Sequence, residues 1–130
     1  MTPPLTAIGQ RNLNMVIYAY HYYEKMFRDI PHLKAEFFRT LAHPLRIRVL
    51  ELLAPGEQPF SALLARLDVE QPHLSQHLGV LRRAGFVTSR RESSTVVYSL
   101  ADERIVELLG VSKRILLDQL TMTRDELHAS

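Results

Sequence analysis

The sequence of 130 residues contains no cysteine and no tryptophan. Without cysteine there is no disulfide, no thiolate metal site and no thiol-based redox sensor. No apolar run approaches the roughly 20 residues that a membrane-spanning helix requires, and the N-terminus lacks the basic segment and apolar stretch of a signal peptide. These absences predict a cytoplasmic protein without a membrane partner.

Motifs of catalysis are missing as well. The sequence has no glycine-rich phosphate loop, no HExxH and no paired-carboxylate motif. Ser75 and His77 are two residues apart on a predicted helix and point to different faces, so they cannot form a nucleophile and its base. The sequence therefore predicts that the protein is not an enzyme.

Length and charge limit the architecture but do not identify a partner. A chain of 130 residues with 46% hydrophobic residues fits one domain with a small core, which dimerisation would extend. We expect a disordered lead-in over residues 1–6 and a single domain over residues 7–130. The formal net charge is only +2, so the partner must be inferred from where the charges lie.

The middle of the sequence has the pattern of two short helices joined by a tight connector. Leu74, Leu78 and Leu81 recur at helical spacing and predict one buried helix face. A shorter apolar pattern over Phe60–Leu67 precedes them, separated by the short connector Asp68, Val69 and Glu70. This arrangement predicts a helix-turn-helix over residues 60–84.

A β-hairpin, or wing, is expected directly after these helices, over residues 86–100. Gly85 is the expected C-cap of the second helix, and the residues Thr95–Leu100 alternate as a return strand. The connection through Ser93 and Ser94 contains no glycine, so we expect a loose, mobile tip and not a tight two-residue turn.

Positive charge is concentrated on the same segment. Between Gln71 and Arg91 there is no acidic residue, and the four arginines of this stretch are Arg82, Arg83, Arg90 and Arg91. Clustered arginine without counter-charge neutralises phosphate, which is the sequence-independent part of nucleic-acid affinity. A basic run alone is more often a solvated surface, but here it coincides with the helix and wing that would contact DNA.

Three ordered blocks carry a resemblance to a known family. They are FFRTLAHPLRIRVLELL at residues 37–53, SQHLGVLRRAGFV at residues 75–87, and the wing from Arg90 to Leu100. Over about residues 35–120 the sequence resembles the ArsR/SmtB family of winged-helix transcriptional repressors. The resemblance implies a mostly α-helical winged helix-turn-helix with a small β-hairpin. It also implies a homodimer that binds double-stranded DNA and responds to a small effector, often a metal ion.

The expected DNA-binding residues lie on the second helix and the wing. Those assigned to the second helix are Gln71, His73, Ser75, Gln76 and Arg83, of which the first four would enter the major groove. Those assigned to phosphate or the minor groove are Arg90, Arg91, Ser93 and Ser94. Four arginines without counter-charge argue against a protein-interaction adaptor. The absence of outward aromatic residues on this surface argues against an RNA-binding module.

The first and last helices, over residues 7–30 and 101–127, are predicted to form the dimer interface. Their apolar stripes are too extensive for one small domain. The residues expected at the interface are Leu13, Val16, Ile17, Tyr20, Ile105, Leu108, Ile115 and Leu116. An alternative interpretation gives the aromatic residues of the first helix, Tyr18, Tyr20, Tyr22, Tyr23 and Phe27, to the wall of an effector pocket.

Metal sensing has little support in the sequence. The ligand positions of the family's last-helix site fall on Asp102, Arg104, Ile115 and Asp118, so both histidines are missing. Arginine stays protonated and cannot be a ligand. No cofactor is therefore predicted, and any small effector is of unknown class.

Other histidines keep a metal-responsive variant open as an alternative. His73 and His77 are four residues apart on a helix, but they lack a third ligand. A site shared between the terminal helices of a dimer would use His21, Glu24, His32 and His128. His43 directly precedes Pro44, and we expect it to cap the helix that starts there and not to bind metal.

Overall fold

A computed structural model describes residues 13–129, which form two compact units, residues 13–38 and 39–129. The elements in chain order are α1 (Leu13–Arg28), α2 (Ile30–Leu41), α3 (Pro44–Leu53), β1 (Gln58–Pro59), α4 (Phe60–Leu67), α5 (Gln71–Arg83), β2 (Val87–Glu92), β3 (Thr95–Leu100) and α6 (Arg104–Ala129). The predicted lead-in over residues 1–6 lies outside the described residues. The mostly α-helical fold with a small β-hairpin is confirmed.

The core of the second unit forms where α3, α4 and α5 meet. Its largest fully buried side chains are Val49, Leu50, Leu53, Leu63, Leu67, Leu74, Leu78, Leu81 and Val87. Leu74, Leu78 and Leu81 have exposed fractions of 0%, 1% and 0%, so the helix face predicted from their spacing is buried. Burial of each leucine contributes about 1.5–3 kcal/mol to folding, which fixes the rotation of α5 about its axis.

The helix-turn-helix is confirmed as α4 and α5, joined by three residues. Asp68 adopts a left-handed conformation with φ 46° and ψ 51°, which reverses the chain at the end of α4. Aspartate is one of the few residues other than glycine that tolerates this region. The left-handed position of this turn, which glycine usually occupies, is therefore occupied here by aspartate.

The end of α5 is fixed by a glycine in the left-handed region. Gly85 has φ +81°, and its N–H donates to the carbonyl of Arg82 at 3.1 Å. The N–H of Phe86 donates to the carbonyl of Leu81 at 2.9 Å. These two bonds form a Schellman motif, so the predicted C-cap is confirmed.

The prediction of a loose hairpin tip is wrong. Glu92 pairs with Thr95, so β2 and β3 are joined by the two residues Ser93 and Ser94 alone. Ser93 has φ +57° and takes the positive angle for which glycine is preferred. Six consecutive pairs along β2 and β3 hold the strands in register and compensate the strain at this one serine.

The sheet contains a third, very short strand. It has the order β1-β3-β2, with β1 antiparallel to β3 through the pair Gln58 and Tyr98. This strand was missed because two residues, one of them proline, show no alternation in the sequence. It brings the segment before α4 against the middle of the wing.

Helix α6 is buried only at its start. Ile105 has an exposed fraction of 7% and belongs to the core, so its assignment to the dimer interface is wrong. Leu108 packs partly against the same core. Ile115 and Leu116 are exposed at 53% and 57%. Within residues 13–129, the apolar stretches of the helices are too short or too interrupted by charge for a membrane span.

Two glycines of the second unit give opposite expectations for replacement by alanine. Gly85→Ala forces a β-carbon into the left-handed region and should lower the free energy of unfolding by about 1–2 kcal/mol. Gly110→Ala lies in α6, where the added β-carbon would meet only Arg114 at 3.8 Å. It should raise the free energy of unfolding by about 0.5–1 kcal/mol. Urea denaturation at one fixed protein concentration measures the free energy of unfolding of both variants. Equal changes of the same sign would show that the two glycines do not differ in backbone strain.

Candidate nucleic-acid interface

The exposed surface of α5 follows from burial of its leucines. With Leu74, Leu78 and Leu81 facing the core, the polar side chains of the helix must face solvent. All five predicted contact residues of this helix are exposed: Gln71, His73, Ser75, Gln76 and Arg83. The N-terminal half of α5 therefore forms a polar ridge on the surface.

A groove of about 350 Å³ lies on one side of this ridge, between α5, the start of α4 and the wing. It brings together three of the predicted residues, Gln71, Ser75 and Ser94. Hydroxyl groups from elsewhere in the chain join them, namely those of Ser61, Thr95 and Tyr98. Ser61 and Tyr98 were not predicted, because no local pattern marks a hydroxyl that another segment approaches.

A second groove, of about 660 Å³, lies on the other side of the ridge. We call it the histidine groove, and its polar lining consists of His43, Arg48, Asp68, His73, Gln76 and His77. His73 and Gln76 were predicted as contact residues. His43, the N-cap residue of α3, and Arg48 on α3 were not. The ridge thus has a hydroxyl-rich groove on one side and an imidazole-rich groove on the other.

Arg90, a predicted phosphate contact, is already bound within the protein. Its guanidinium donates to Oε1 of Glu57 at 2.8 Å and to Oε2 of Glu92 at 2.9 Å. The hydrogen bond from Arg90 lowers the pKa of the Glu57 carboxyl and keeps it charged. The expectation that all four arginines lack a counter-charge is therefore wrong for Arg90. Among residues 13–129, Arg82, Arg83 and Arg91 make no ion pair.

The two faces of the wing therefore differ in whether their arginine is paired with carboxylates. Arg91 is exposed and follows Arg90 in β2, so the two side chains point to opposite faces of the sheet. One face of the hairpin carries an arginine held by two carboxylates, and the other carries an arginine available to a phosphate. Alternation along the strand separates the two roles.

Two histidines of the histidine groove are in ring contact. The centroids of His43 and His77 are 4.2 Å apart with the planes tilted by 42°. Burial lowers the pKa of His77, and the neighbouring groups His43, Arg46 and His73 lower it further. Within the described part of the chain, Nδ1 of His77 and Nε of Arg46 are buried without a hydrogen-bond partner. The sequence does not predict this contact, since 34 positions separate the two residues.

His43 also has the structural role that was predicted for it. Its Nδ1 accepts a hydrogen bond from the backbone N–H of Leu45 at 3.2 Å, which caps α3. His43 lies at φ −148° and ψ 124°, the extended conformation of an N-cap residue. Pro44 follows at the first helical position, where its missing N–H costs no hydrogen bond.

The residues at the family's last-helix metal site do not fit a metal ion. Both oxygens of Asp102 accept hydrogen bonds from Arg104, the shortest at 2.7 Å, and Oδ1 also accepts from the Arg104 backbone at 2.9 Å. The Arg104 guanidinium lowers the pKa of Asp102 to about 2. The carboxylate therefore serves as a helix cap and ion-pair partner.

The alternative metal candidates lie on three different helices. His21 lies 3.8 Å from Glu24, whose other oxygen binds Arg28 at 2.6 Å. His32 lies on α2 and His128 near the end of α6. Over residues 13–129, no group of three or more histidine or acidic residues is placed to hold a metal ion.

A helix-turn-helix with an exposed polar second helix and an adjacent hairpin defines the class of winged helix-turn-helix DNA-binding proteins. Residues 41–90 match a family described as a helix-turn-helix domain. The HTH-type transcriptional regulator Rv0081 of Mycobacterium tuberculosis is 52% identical over 85 residues, which are 65% of this chain and 75% of that relative. The crystal structure of M. tuberculosis Rv0081 matches with a TM-score of 0.66 and 48% identity, covering 71% of this chain and 93% of that one.

Two further matches agree with this class. The biofilm growth-associated repressor of Agrobacterium fabrum is 47% identical over 75 residues, which are 58% of this chain and 64% of the repressor. The homodimeric winged helix-turn-helix DNA-binding domain of Mb0332 from Mycobacterium bovis matches with a TM-score of 0.63 and 26% identity, covering 72% of this chain and 86% of that one. The chain belongs to the ArsR/SmtB family of transcriptional regulators, which bind DNA and are not enzymes.

The ion pair at Arg90 leads to a test on DNA. Glu57→Gln removes a carboxylate that competes with phosphate for the same guanidinium. Exposed ion pairs are weak, so binding to a random duplex should become tighter by at most about fivefold. Fluorescence anisotropy at one salt concentration measures the change. Glu126→Gln, at an exposed acid near the end of α6, is the control, and equal effects of both variants would refute the competition.

Proposed function

We propose that the protein is a homodimeric transcriptional repressor that binds an imperfect inverted-repeat operator. The observation that carries the proposal is the combination of an exposed reading helix with apolar stripes on α1 and α6. An exposed reading helix is compatible with a monomer. The apolar stripes are not, because a monomer would leave them exposed to water. In this proposal residues 7–130 act as one domain, with residues 7–30 and 101–127 as the dimerisation helices.

The stripe on α6 supports a second subunit as its partner. The helix has 26 residues, and Ile105 is the one residue of it that is buried. Ile115, Leu116 and Leu120 are exposed at 53%, 57% and 65%. Contiguous exposed apolar surface on a soluble protein marks an interaction site, and in homo-oligomers a two-fold interface is the commonest solution.

The stripe on α1 is similar in character. Leu13, Ile17 and Tyr20 are exposed at 63%, 46% and 65%, and the helix has no buried residue. The tyrosines that could line an effector pocket are also exposed. The ring centroids of Tyr22 and Tyr23 are 6.1 Å apart, in an edge-to-face contact. The homodimeric state of the Mb0332 domain supports assignment of these side chains to an interface.

A two-fold dimer determines the form of the operator. It presents two copies of α5 related by symmetry, so the two half-sites must be inverted. The half-sites are separated by about 34 Å, one turn of B-DNA, or by a multiple of it. A regulator of this class acts on chromosomal DNA, so we also propose a cytoplasmic location.

We assign sequence reading to the ridge of α5 and backbone contact to the wing. Gln71, Ser75 and Gln76 are exposed polar groups at the N-terminal end of the helix, which enters the major groove in proteins of this class. Arg91, Ser93 and Ser94 would contact phosphate or the minor groove. Arg90 would exchange Glu57 for phosphate in the complex, and Arg83 would contact the backbone from the last turn of α5.

Effector sensing through the last-helix metal site receives no support, because Asp102 is bound by Arg104. We propose that the dimer binds its operator without metal. An effector changes DNA affinity only through a difference in its own affinity for the two states. The apolar surface of α1 is the place where a small apolar effector would find such a difference.

The dimer is tested by a charge placed on the α6 stripe. Leu116→Glu puts a carboxylate at an exposed apolar position and should convert a dimer into a monomer, because burial of an unpaired charge is costly. Sedimentation velocity at micromolar concentration measures the state, and circular dichroism checks folding. Thr121→Glu, at an exposed position on the opposite face of the same helix, is the matched control. A wild-type protein that sediments as a monomer would remove the homodimer from the proposal.

The division of roles on the DNA surface is tested by two alanine variants. Gln76→Ala should relax base preference at one operator position, since a glutamine pairing with adenine is worth about 1–3 kcal/mol. Arg91→Ala should weaken all sequences alike and reduce the salt slope by about one unit. Arg124→Ala on α6 serves as the control. Equal loss of specificity in the first two variants would show that the assignment is wrong.

A further inference from the structure

The histidine groove is unusual for its number of imidazoles beside the reading helix. His43, His73 and His77 line it together with Arg48, while Asp68 is its one acidic residue. His73 is exposed on α5 and lies next to Gln76 on the groove wall. A concave surface with this composition suits either a metal ion or an anion.

The capping bond of His43 decides between these two occupants. Nδ1 of His43 accepts a hydrogen bond from the Leu45 backbone, so the proton of the neutral ring must be on Nε2. In that tautomer His43 has no free lone pair for a metal ion, but it has a free N–H donor. The positive charges of Arg46, near His77, and of Arg48 in the lining also oppose a cation. The groove therefore fits an anion.

The position of the groove identifies which anion would reach it. An α-helix with its side chains is about 10–12 Å wide and fills a major groove about 12 Å wide. When α5 occupies the major groove, the two sugar–phosphate strands must pass along its two sides. One side of α5 is the hydroxyl-rich groove, and the other is the histidine groove.

We propose that the histidine groove binds a phosphodiester group of the DNA backbone through His43, Arg48 and His73, and that protonation of His73 makes DNA affinity increase as the pH falls. The inference rests on the proposed DNA-binding mode, in which α5 lies in the major groove. His43 would donate from Nε2 at any pH, and Arg48 would supply a permanent positive charge. His73, which was predicted from the sequence to enter the major groove, would here contact the phosphate and carry a positive charge when protonated.

The charges around His73 are consistent with this assignment. Its neighbours in the groove are His43 and Arg48 from the α3 side, Asp68 from the turn, and His77 from α5 itself. Glu70, the N-cap residue of α5, precedes it by three positions. Burial lowers the pKa of His77, which disfavours the charged form of that ring. Protonated imidazole binds phosphate more strongly than the neutral ring, so binding is coupled to proton uptake.

The experiment measures affinity for a random DNA duplex of about 30 base pairs at about pH 6 and pH 8, in about 50 mM salt. Phosphate contacts do not depend on sequence, so no operator is required. The wild-type protein should bind roughly fivefold more tightly at the lower pH, the difference between a charged and a neutral hydrogen bond. His73→Gln should abolish this gain, so that the affinities of the variant at the two pH values agree within about twofold.

A second variant separates the cap from the phosphate contact. His43→Asn keeps a good N-cap residue but shortens the side chain, so affinity should fall by a similar factor at both pH values. His128→Gln is the control, and circular dichroism at each pH checks folding. Retention of the full acid gain by His73→Gln, or wild-type affinity of His43→Asn, would overturn the inference. Wild-type protein that binds no duplex at either pH would overturn the proposed function as well.

Titrations with zinc and with inorganic phosphate test the other occupants. Calorimetry on the wild type should show no zinc binding that is lost in His73→Gln, and no saturable binding of phosphate alone. Zinc binding that depends on His73 would establish a metal site instead. Saturable binding of inorganic phosphate at this groove would make the free ion the occupant and refute the DNA-backbone assignment.

Discussion

Burial of the leucine face of α5 is the constraint on which the rest of the structure depends. Leu74, Leu78 and Leu81 are inserted into the core, and this fixes which side chains of the helix face outward. The Schellman motif at Gly85 then ends the helix and directs the chain into the wing. The exposed polar residues of α5 need no packing role of their own, because apolar residues on the opposite face hold them in place.

Periodicity made much of the fold predictable from the sequence. The bounds of α4 and β3 follow from apolar spacing, and the cap at His43 follows from its position before Pro44. The prediction of a loose tip at Ser93 is wrong, because it rests on the local preference for glycine alone. The six strand pairs that enforce the tight turn are not visible in the local sequence. Propensity describes an isolated segment, and here tertiary structure overrides it.

The charge distribution of the candidate site was predictable only in part. The basic segment is visible in the sequence, but Glu57 lies 33 positions before Arg90 and reaches it through the pairing of β1 with β3. The contact of His43 with His77 arises in the same way, from the packing of α3 on α5. Sequence patterns identify residues that share one element. Pairs from different elements appear only when the chain is folded.

In the proposed DNA-binding mode, the ion pair between Arg90 and Glu57 would also affect how the protein searches for its target. A regulator must sample very many random sites, and each stay is prolonged by every arginine that is ready to bind phosphate. Glu57 holds Arg90 in the unbound protein, so each encounter with random DNA would gain less from the wing. Residence on random DNA would then be shorter and scanning faster. A single carboxylate outside the reading surface would adjust the time spent at wrong sites without touching a base.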